Sequence, residues 1–219
     1  MPPTRIAQKP APQPRRRRRH ADQAKLEILF AAERHLERGG PSAVRLQVIA
    51  RELGLTDAAV HHHFGSRQGL LEALMRHAGR RLKEQSLAAV ADWGAEEFDI
   101  RELCAVLGNI YAKRGYARLA MWMLLAGYRP VGSGLYRPLA EAIHLSRTRK
   151  AREMERRPPD LEETLFAVTL LNVVLCAEAL IGEPMRRSVG LNADRATGRR
   201  YFEWFATLLQ TYLDAVPAS

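Results

Sequence analysis

Apolar residues recur along most of the chain at the three- and four-residue spacing of helices, and no stretch shows the alternation typical of a strand. The first run covers residues 22–38, where Ile28, Ala32 and Leu36 share a face. Gly39-Gly40-Pro41 then ends it, since Gly suits a helix C-terminus and Pro cannot continue a helix. Similar runs follow to about residue 216, so the pattern predicts an all-α protein of about nine helices.

Two short apolar runs near the amino end, about Leu46–Leu53 and Asp57–His63, are separated by only a few residues. A helix-turn-helix needs a small residue in its first helix, a glycine at the turn four residues later and a branched apolar residue six further on. Ala50, Gly54 and Val60 meet these requirements. The spacing therefore predicts two short helices that cross through a tight turn.

Positive charge is concentrated at the amino end. The formal net charge is +10, and the first 25 residues contain eight basic residues and one acidic residue. Residues 1–21 are rich in Pro and Arg with little to bury, so we expect them to be disordered in isolation. This arm could follow phosphates or enter a minor groove, or it could act only as a solubilising tail; the sequence leaves both open.

The remaining composition narrows the class of protein. Two cysteines, Cys104 and Cys176, are too few for a disulfide framework, and the amino end lacks an apolar signal segment, so a cytoplasmic location is expected. The apolar run Leu165–Ile181 is interrupted by polar residues and is shorter than a membrane span of roughly 20 residues, which favours a packed helix and no membrane partner. The chain has no glycine-rich phosphate loop, no His-Glu-x-x-His and no nucleophile elbow, so neither an enzyme nor a cofactor is predicted.

The helix-turn-helix and its neighbours resemble the tetracycline-repressor (TetR-like) family of transcriptional regulators. The matching positions are Ile28, Ala31, Ala32, Leu36, Gly39, Ile49, Ala50, Gly54, Leu55, Thr56, Val60, His61, His62, His63, Phe64, Arg67 and Leu70. His61 stands where the family usually has Tyr, Arg67 where it has Lys, and Arg45 where a Thr often caps the helix. The resemblance implies a DNA-binding domain over residues 22–69 and a helical ligand-binding and dimerisation domain over 70–219.

The second helix of such a pair enters the major groove, where its first residues reach base edges. The residues expected to face DNA from this helix are Thr56, Asp57, Ala58, Ala59, His61 and His62. The resemblance also implies phosphate contacts from His61, His63 and Arg67, and Arg45 could add a direct phosphate contact in place of the missing cap. Thr56 is placed to cap the helix, with Asp57 in its first turn.

The three consecutive histidines could also suggest a metal site. Successive helical residues point about 100° apart, however, so three side chains in a row cannot converge on one ion. The sequence also has no acidic or thiol partner at ligand spacing, and no metal site is predicted.

Regulators of this family act as dimers, which sets two recognition helices about one DNA turn, roughly 34 Å, apart. We expect the last two long helices, Leu161–Ile181 and Ala193–Val216, to form a four-helix bundle with a second copy, although their apolar stripes could also belong to the internal core. The predicted interface residues are Leu171, Leu175, Tyr201, Trp204, Phe205, Leu208 and Tyr212.

Soft and aromatic residues in the middle of the chain suggest a pocket for a small apolar or amphipathic effector. The candidates are Tyr111, Met121, Trp122, Met123, Tyr128, Phe166 and Asn172. Each of them could equally be a core residue.

The sequence therefore predicts a sequence-specific repressor that an effector releases from a pseudo-palindromic operator. Two alternatives remain open: a non-specific architectural DNA binder that uses the basic arm, and a small-molecule-binding α-domain whose helix-turn-helix is vestigial.

Overall fold

The computed structural model describes residues 14–90, 99–128 and 134–215, and every regular element within these ranges is helical. The helices are α1 (Pro14–Gly39), α2 (Leu46–Glu52), α3 (Asp57–Phe64), α4 (Arg67–Val90), α5 (Ile100–Gly108), α6 (Tyr116–Leu125), α7 (Arg137–Glu153), α8 (Leu161–Ser188) and α9 (Arg195–Asp214). A 3₁₀ turn, Pro41–Ala43, precedes α2, and a π-helical turn, Asn109–Lys113, continues α5. The predicted all-α fold is confirmed.

The first three helices pack with the start of α4 around fully buried aliphatic side chains. These include Ile28, Leu36, Ile49, Val60 and Leu70. In the second half, α5, α7, α8 and α9 surround a comparable set, with Leu103, Leu107, Ile143, Leu171 and Leu175. The buried residues form one continuous cluster, because α4 packs against α1 and α3 as well as α5, α6 and α7. The predicted border between residues 69 and 70 therefore falls within the first turn of α4.

The first helix begins earlier than the predicted residue 22. It starts at Pro14 and runs through the arginine stretch to Gly39. Pro is favourable in the first helical turn and Arg has high helix propensity, which favours the extension of α1 toward the amino end. Residues 1–13 of the predicted arm lie outside the described residues.

The eighth helix continues past the predicted end at Ile181. It includes Gly182 and Pro184 and ends at Ser188. Pro184 removes one helical hydrogen bond, but Arg186 pairs with Glu178 and Arg187 donates to Glu183 at 2.6 Å, so two ion pairs span the interruption. Gly182 lies beneath the first pair, and a Cβ at that position would require the Glu178 carboxylate to shift.

Within the described ranges, α8 is the one helix long and apolar enough to cross a membrane. A single such helix is weak support for a span, since core and interface helices pass the same test. One side of α8 packs inside the chain, where Leu171 and Leu175 are fully buried, while Phe166, Leu170 and Val173 on other sides are exposed. Within the chain α8 packs against α5, α6, α7 and α9, and its exposed apolar side chains lie outside these contacts.

Candidate nucleic-acid interface

Helix α3 begins at Asp57 as predicted and ends at Phe64, one residue after the predicted His63. Thr56 has an extended backbone, and its Oγ1 accepts a hydrogen bond from the amide of Ala59 at 3.2 Å, which confirms the predicted cap. Asp57 lies in the first turn, where its negative charge favours the helix N-terminus. Gly65 ends the helix at a φ of 71°, a left-handed conformation that favours glycine.

One face of α3 packs inward and the opposite face is open to solvent. Val60 and Phe64 are buried where α3 packs against α2 and α4, whereas Ala59 and His63 are half-buried. The exposed positions are Thr56, Asp57, Ala58, His61 and His62. Five of the six predicted base-contacting residues thus lie on an accessible polar surface, and whether they touch DNA stays a prediction.

The histidine rings of α3 have distinct surroundings. The Nδ1 of His61 donates to the carbonyl oxygen of Gly65 at 3.0 Å, which leaves Nε2 directed away from the helix. The rings of His62 and His63 meet edge to face with centroids 5.7 Å apart. Within the described residues, no group of three His, Cys, Asp or Glu side chains is placed to hold a metal ion.

Arg67 does not point outward as the phosphate prediction requires. Its Nε donates to the carbonyl oxygen of Val44 at 2.9 Å, and its Nη2 donates to that of Pro41 at 2.5 Å. The guanidinium also lies over the ring of Trp122, 5.3 Å from the centroid. A long side chain at the start of α4 can turn inward or outward, and here two backbone carbonyls and an indole hold it inward.

Basic residues outside α3 flank the same surface, and the sequence prediction named only one of them. Arg45 is exposed, makes no cap bond to α2, and its Nε lies 3.4 Å from the carbonyl oxygen of Ser42. Lys25 of α1, which was not predicted, has its Nζ 5.9 Å from the centroid of the Phe64 ring at the end of α3. Arg51 of α2 is exposed as well. Such residues could have been found only from the three-dimensional packing of α1 and α2 beside α3.

A surface ion pair fixes α2 to α1. Glu52 accepts from Arg34 at 2.5 Å and lies 2.7 Å from the Nε2 of His35. Hydrogen bonds from Arg34 and His35 lower the pKa of the Glu52 carboxyl below its usual range. The carboxyl end of α2 is therefore anchored to α1.

The predicted effector pocket is not assembled as one site. Tyr111 and Asn172 do come together: the tyrosine hydroxyl donates to the amide oxygen at 3.1 Å, while the amide nitrogen donates to the carbonyl of Val168 at 2.8 Å. Tyr136, which was not predicted, shares a hydrogen bond with Tyr111. Burial raises the pKa of Tyr111 to about 12 and raises that of Tyr136 further, so both hydroxyls stay neutral.

The other predicted pocket residues lie in different environments. Met123 is 1% exposed and belongs to the core, whereas Phe166 is 64% exposed and Met121 is also on the surface. Trp122 stacks on Arg67, and Tyr128 is half-buried beside the core. Helical periodicity could not separate these cases, because it does not say which face of a middle helix has a neighbour.

A groove of about 560 Å³ lies elsewhere, between α5 with its π-helical turn and α9. Its lining includes Arg101, Cys104, Gly108, Arg199, Phe202 and Ala206, and none of the predicted pocket residues is among them. Burial raises the pKa of the Cys104 thiol to about 12, so the groove contains an unreactive thiol.

Some of the predicted interface residues are internal. Leu171, Leu175 and Phe205 are at most 4% exposed within one chain and so cannot contact a second copy, which corrects that part of the prediction. The large apolar residues that are exposed on α8 are Phe166, Leu170, Val173, Ile181 and Met185, and those on α9 are Trp204, Leu208 and Tyr212. Tyr201 is half-buried beside Trp204, with ring centroids 6.1 Å apart.

Comparisons with known proteins match the same part of the chain. The sequence model of the bacterial regulatory proteins, tetR family, matches residues 28–74, from the middle of α1 to the first turns of α4. The HTH-type transcriptional regulator BetI of Brucella anthropi is 30% identical over 99 residues, which cover 44% of this chain and 50% of BetI. The chain thus matches about half the length of this curated relative.

Solved structures extend the likeness to most of the chain. A TetR-family transcriptional regulator from Pectobacterium atrosepticum superposes with a TM-score of 0.58 at 16% identity, covering 90% of this chain and 95% of that one. AibR, solved with isovaleryl coenzyme A and operator DNA, gives a TM-score of 0.53 at 17% identity and covers 84% and 96% of the two chains. At such identities the likeness establishes the fold alone. The chain is therefore TetR-like: residues 28–74 match the sequence model of the tetR family, and most of the chain shares the helical fold of a solved TetR-family regulator.

Proposed function

We propose that the protein is a cytoplasmic, sequence-specific transcriptional repressor that binds a pseudo-palindromic operator as a homodimer and is released by a small effector. The observation that carries this proposal is the capped helix α3, whose polar face is exposed within the segment that matches the family's DNA-binding domain. A second short helix, α2, packs across it, as expected of a helix-turn-helix.

The chemistry of the exposed face suits the major groove. Ala58 is short enough for close approach and can contact a thymine methyl group. His62 can donate to base edges or phosphates, whereas His61, whose Nδ1 donates to the Gly65 carbonyl, offers its Nε2 as an acceptor for a base amino group. Both histidines lie beside Ala58 on one helical face, so all three side chains can reach the same groove. Asp57 either accepts from a cytosine amino group or only stabilises the helix end.

A second copy is the proposed partner for the exposed side of α8 and α9. The apolar side chains exposed there include Phe166, Leu170, Val173, Trp204, Leu208 and Tyr212. A patch of this kind usually marks an interface, and a two-fold axis through it would pair the same surface of both copies. The resulting four-helix contact would fix the separation of the two α3 helices.

The proposed effector is apolar or amphipathic with few polar groups. Support comes from the Tyr111–Asn172–Tyr136 cluster in the second half of the chain, where buried hydrogen-bonding groups are all neutral. AibR, which shares the fold, was solved with an acyl coenzyme A ligand and DNA together. Release would need only the usual coupling of roughly 1–3 kcal/mol between the effector and DNA sites.

Fluorescence anisotropy with duplexes from the DNA flanking the gene tests this function. We expect one duplex to bind far more tightly than a shuffled duplex, and His62→Ala to remove most of that preference. His144→Ala, which removes a histidine from α7 in the second half of the chain, is the matched control and should bind as the unaltered protein does.

A chain that lacks residues 1–21 tests the arm separately, because this deletion removes Arg15–Arg19 with the rest of the arm and leaves the part of α1 that carries the buried residues from Ile28 onward. The proposal predicts weaker overall affinity but retained preference. Loss of all preference on this deletion, with His62→Ala unaffected, would instead establish a non-specific binder that uses its arm. If no duplex is preferred and small molecules still bind, the helix-turn-helix is vestigial.

A further inference from the structure

We infer that Arg67 is a positioning residue, which holds the helix-turn-helix in its DNA-binding arrangement from behind and does not itself contact a phosphate. This inference rests on the proposed function, since its consequences are read in DNA binding. The family resemblance implies that Arg67 contacts a DNA phosphate. The inferred role is therefore a departure of this chain from the family pattern.

The first support is the pair of carbonyl groups that Arg67 binds. They belong to Pro41 and Val44, at the two ends of the 3₁₀ turn that leads into α2, and the amide of Val44 also donates to the Pro41 carbonyl at 3.2 Å. Arg67 itself is the first residue of α4, two residues after Gly65 ends α3. One guanidinium therefore ties the entrance of the helix-turn-helix to its exit.

The second support is the indole ring against the same guanidinium. Trp122 lies on α6. The amino end of α6 also contacts α1, because the Tyr116 hydroxyl donates to Glu33 at 2.9 Å and Arg118 donates to the carbonyl of Glu37 at 3.3 Å. The ring fixes the plane in which Arg67 presents its donors to the two carbonyls. Arg67 thus positions the recognition helix α3, and Trp122 of α6 positions Arg67.

These contacts require arginine. A planar guanidinium can donate along two directions within its plane while its face stacks on an aromatic ring, whereas a lysine ammonium is a single point charge. A lysine at this position would keep the positive charge but lose one carbonyl contact and the stacking. A phosphate ligand tolerates that exchange well, because phosphate binding depends mainly on charge.

The exchange of Arg67 for Lys therefore separates the two roles. With the preferred duplex as the probe, dissociation constants are measured over a series of salt concentrations for the unaltered protein, Arg67→Lys, Arg67→Ala and Trp122→Leu. A positioning role predicts that all three variants bind about tenfold more weakly, as expected for the loss of a hydrogen bond to a charged group. The slope of log affinity against log salt should stay unchanged, because no phosphate contact is lost.

Combining Arg67→Lys with Trp122→Leu should weaken binding no more than the stronger single change, since both remove the same support. The inference is overturned if Arg67→Lys binds like the unaltered protein, or if Arg67→Ala lowers the salt slope by about 0.9, the amount expected for one lost phosphate contact. Full additivity of the two changes would also contradict it.

Tryptophan fluorescence gives a second measurement, which needs no DNA and no long titration of the variants. In a chain that carries Trp93→Phe and Trp204→Phe, Trp122 is the only tryptophan. Arg67→Lys should shift its emission toward the solvent-exposed value and increase quenching by iodide, whereas an Arg67 that faces DNA predicts no change in either. If the unaltered protein binds no duplex selectively, the proposed function fails while this contact is still tested.

Discussion

At the residue scale, His77 shows how a polar side chain is accommodated where the two halves of the chain meet. It is 7% exposed on α4, its ring packs against the edge of Phe30 with centroids 5.6 Å apart, and its Nε2 has no hydrogen-bond partner within the described residues. Burial lowers its pKa below the ordinary value of 6.5; nearby Glu33 opposes this shift, and Arg81 adds to it. The folded protein therefore holds a neutral imidazole that the unfolded chain would protonate more readily.

This difference predicts a pH-dependent stability. Because the unfolded state binds the extra proton, the contribution of His77 is fully present above pH 6.5 and is lost as the pH falls toward its lowered folded pKa. Between pH 7 and 5.5, His77→Leu should lose less of its free energy of unfolding than the unaltered protein, as measured by urea denaturation. The control is His62→Leu, an exposed change, and an equal pH response in all three proteins would contradict the assignment.

The sequence predicted side-chain contacts correctly where local backbone geometry determines them. It failed where a long side chain can reach several alternative partners. The cap by Thr56 depends on three consecutive backbone units, so its spacing alone predicts it. The direction of Arg67 depends on the Pro41 carbonyl and on Trp122, which come from distant parts of the sequence. The spacing of the helix-turn-helix contains no information about either partner.

At the scale of elements, a buried carboxylate joins three helices. Glu33 of α1 is 7% exposed and accepts from Arg81 of α4 at 3.1 Å, from Arg114 at 2.9 Å and from the Tyr116 hydroxyl of α6 at 2.9 Å. Burial is the main cause that raises the pKa of Tyr116, which keeps its hydroxyl as a donor. The cluster therefore fixes the packing of α4 and α6 against α1.

Glu33→Ala should lower the free energy of unfolding by roughly 2–3 kcal/mol, because two arginines that are still about a quarter exposed lose their counter-charge. Glu37→Ala is the matched control on the exposed side of the same helix, and it should change stability by less than about 0.5 kcal/mol. Urea unfolding followed by circular dichroism gives both values. Equal effects of the two changes would show that the cluster does not join these helices.

The helices themselves followed from the apolar spacing, but two helix ends did not. α1 begins at Pro14, well before the predicted residue 22, in a stretch whose arginines have high helix propensity. Pro184 was expected to end α8, and ion pairs across it carry the helix to Ser188. Both cases depend on side-chain energies that a pattern of apolar positions does not contain.

At the scale of the whole molecule, the proposal that two copies pair through the exposed apolar side of α8 and α9 can be tested with one substitution. Leu208→Glu places a charge in the middle of this surface, where Leu208 is 52% exposed in one chain. We expect it to convert the dimer to a monomer in analytical ultracentrifugation and to weaken operator binding at least tenfold, since one half-site gives limited contact. Leu145→Glu, at an exposed leucine of α7, should leave the dimer intact. A Leu208→Glu protein that remains dimeric would place the interface elsewhere.

The most direct test of the central claim is a selection from random double-stranded DNA with the full chain. If α3 reads bases from a two-fold dimer, the enriched sequences will contain a pseudo-palindrome with half-site centres about one helical turn apart, roughly 34 Å. The same selection with His62→Ala will lose that consensus. Enrichment that depends only on residues 1–21, or a failure to enrich any consensus, would contradict the account.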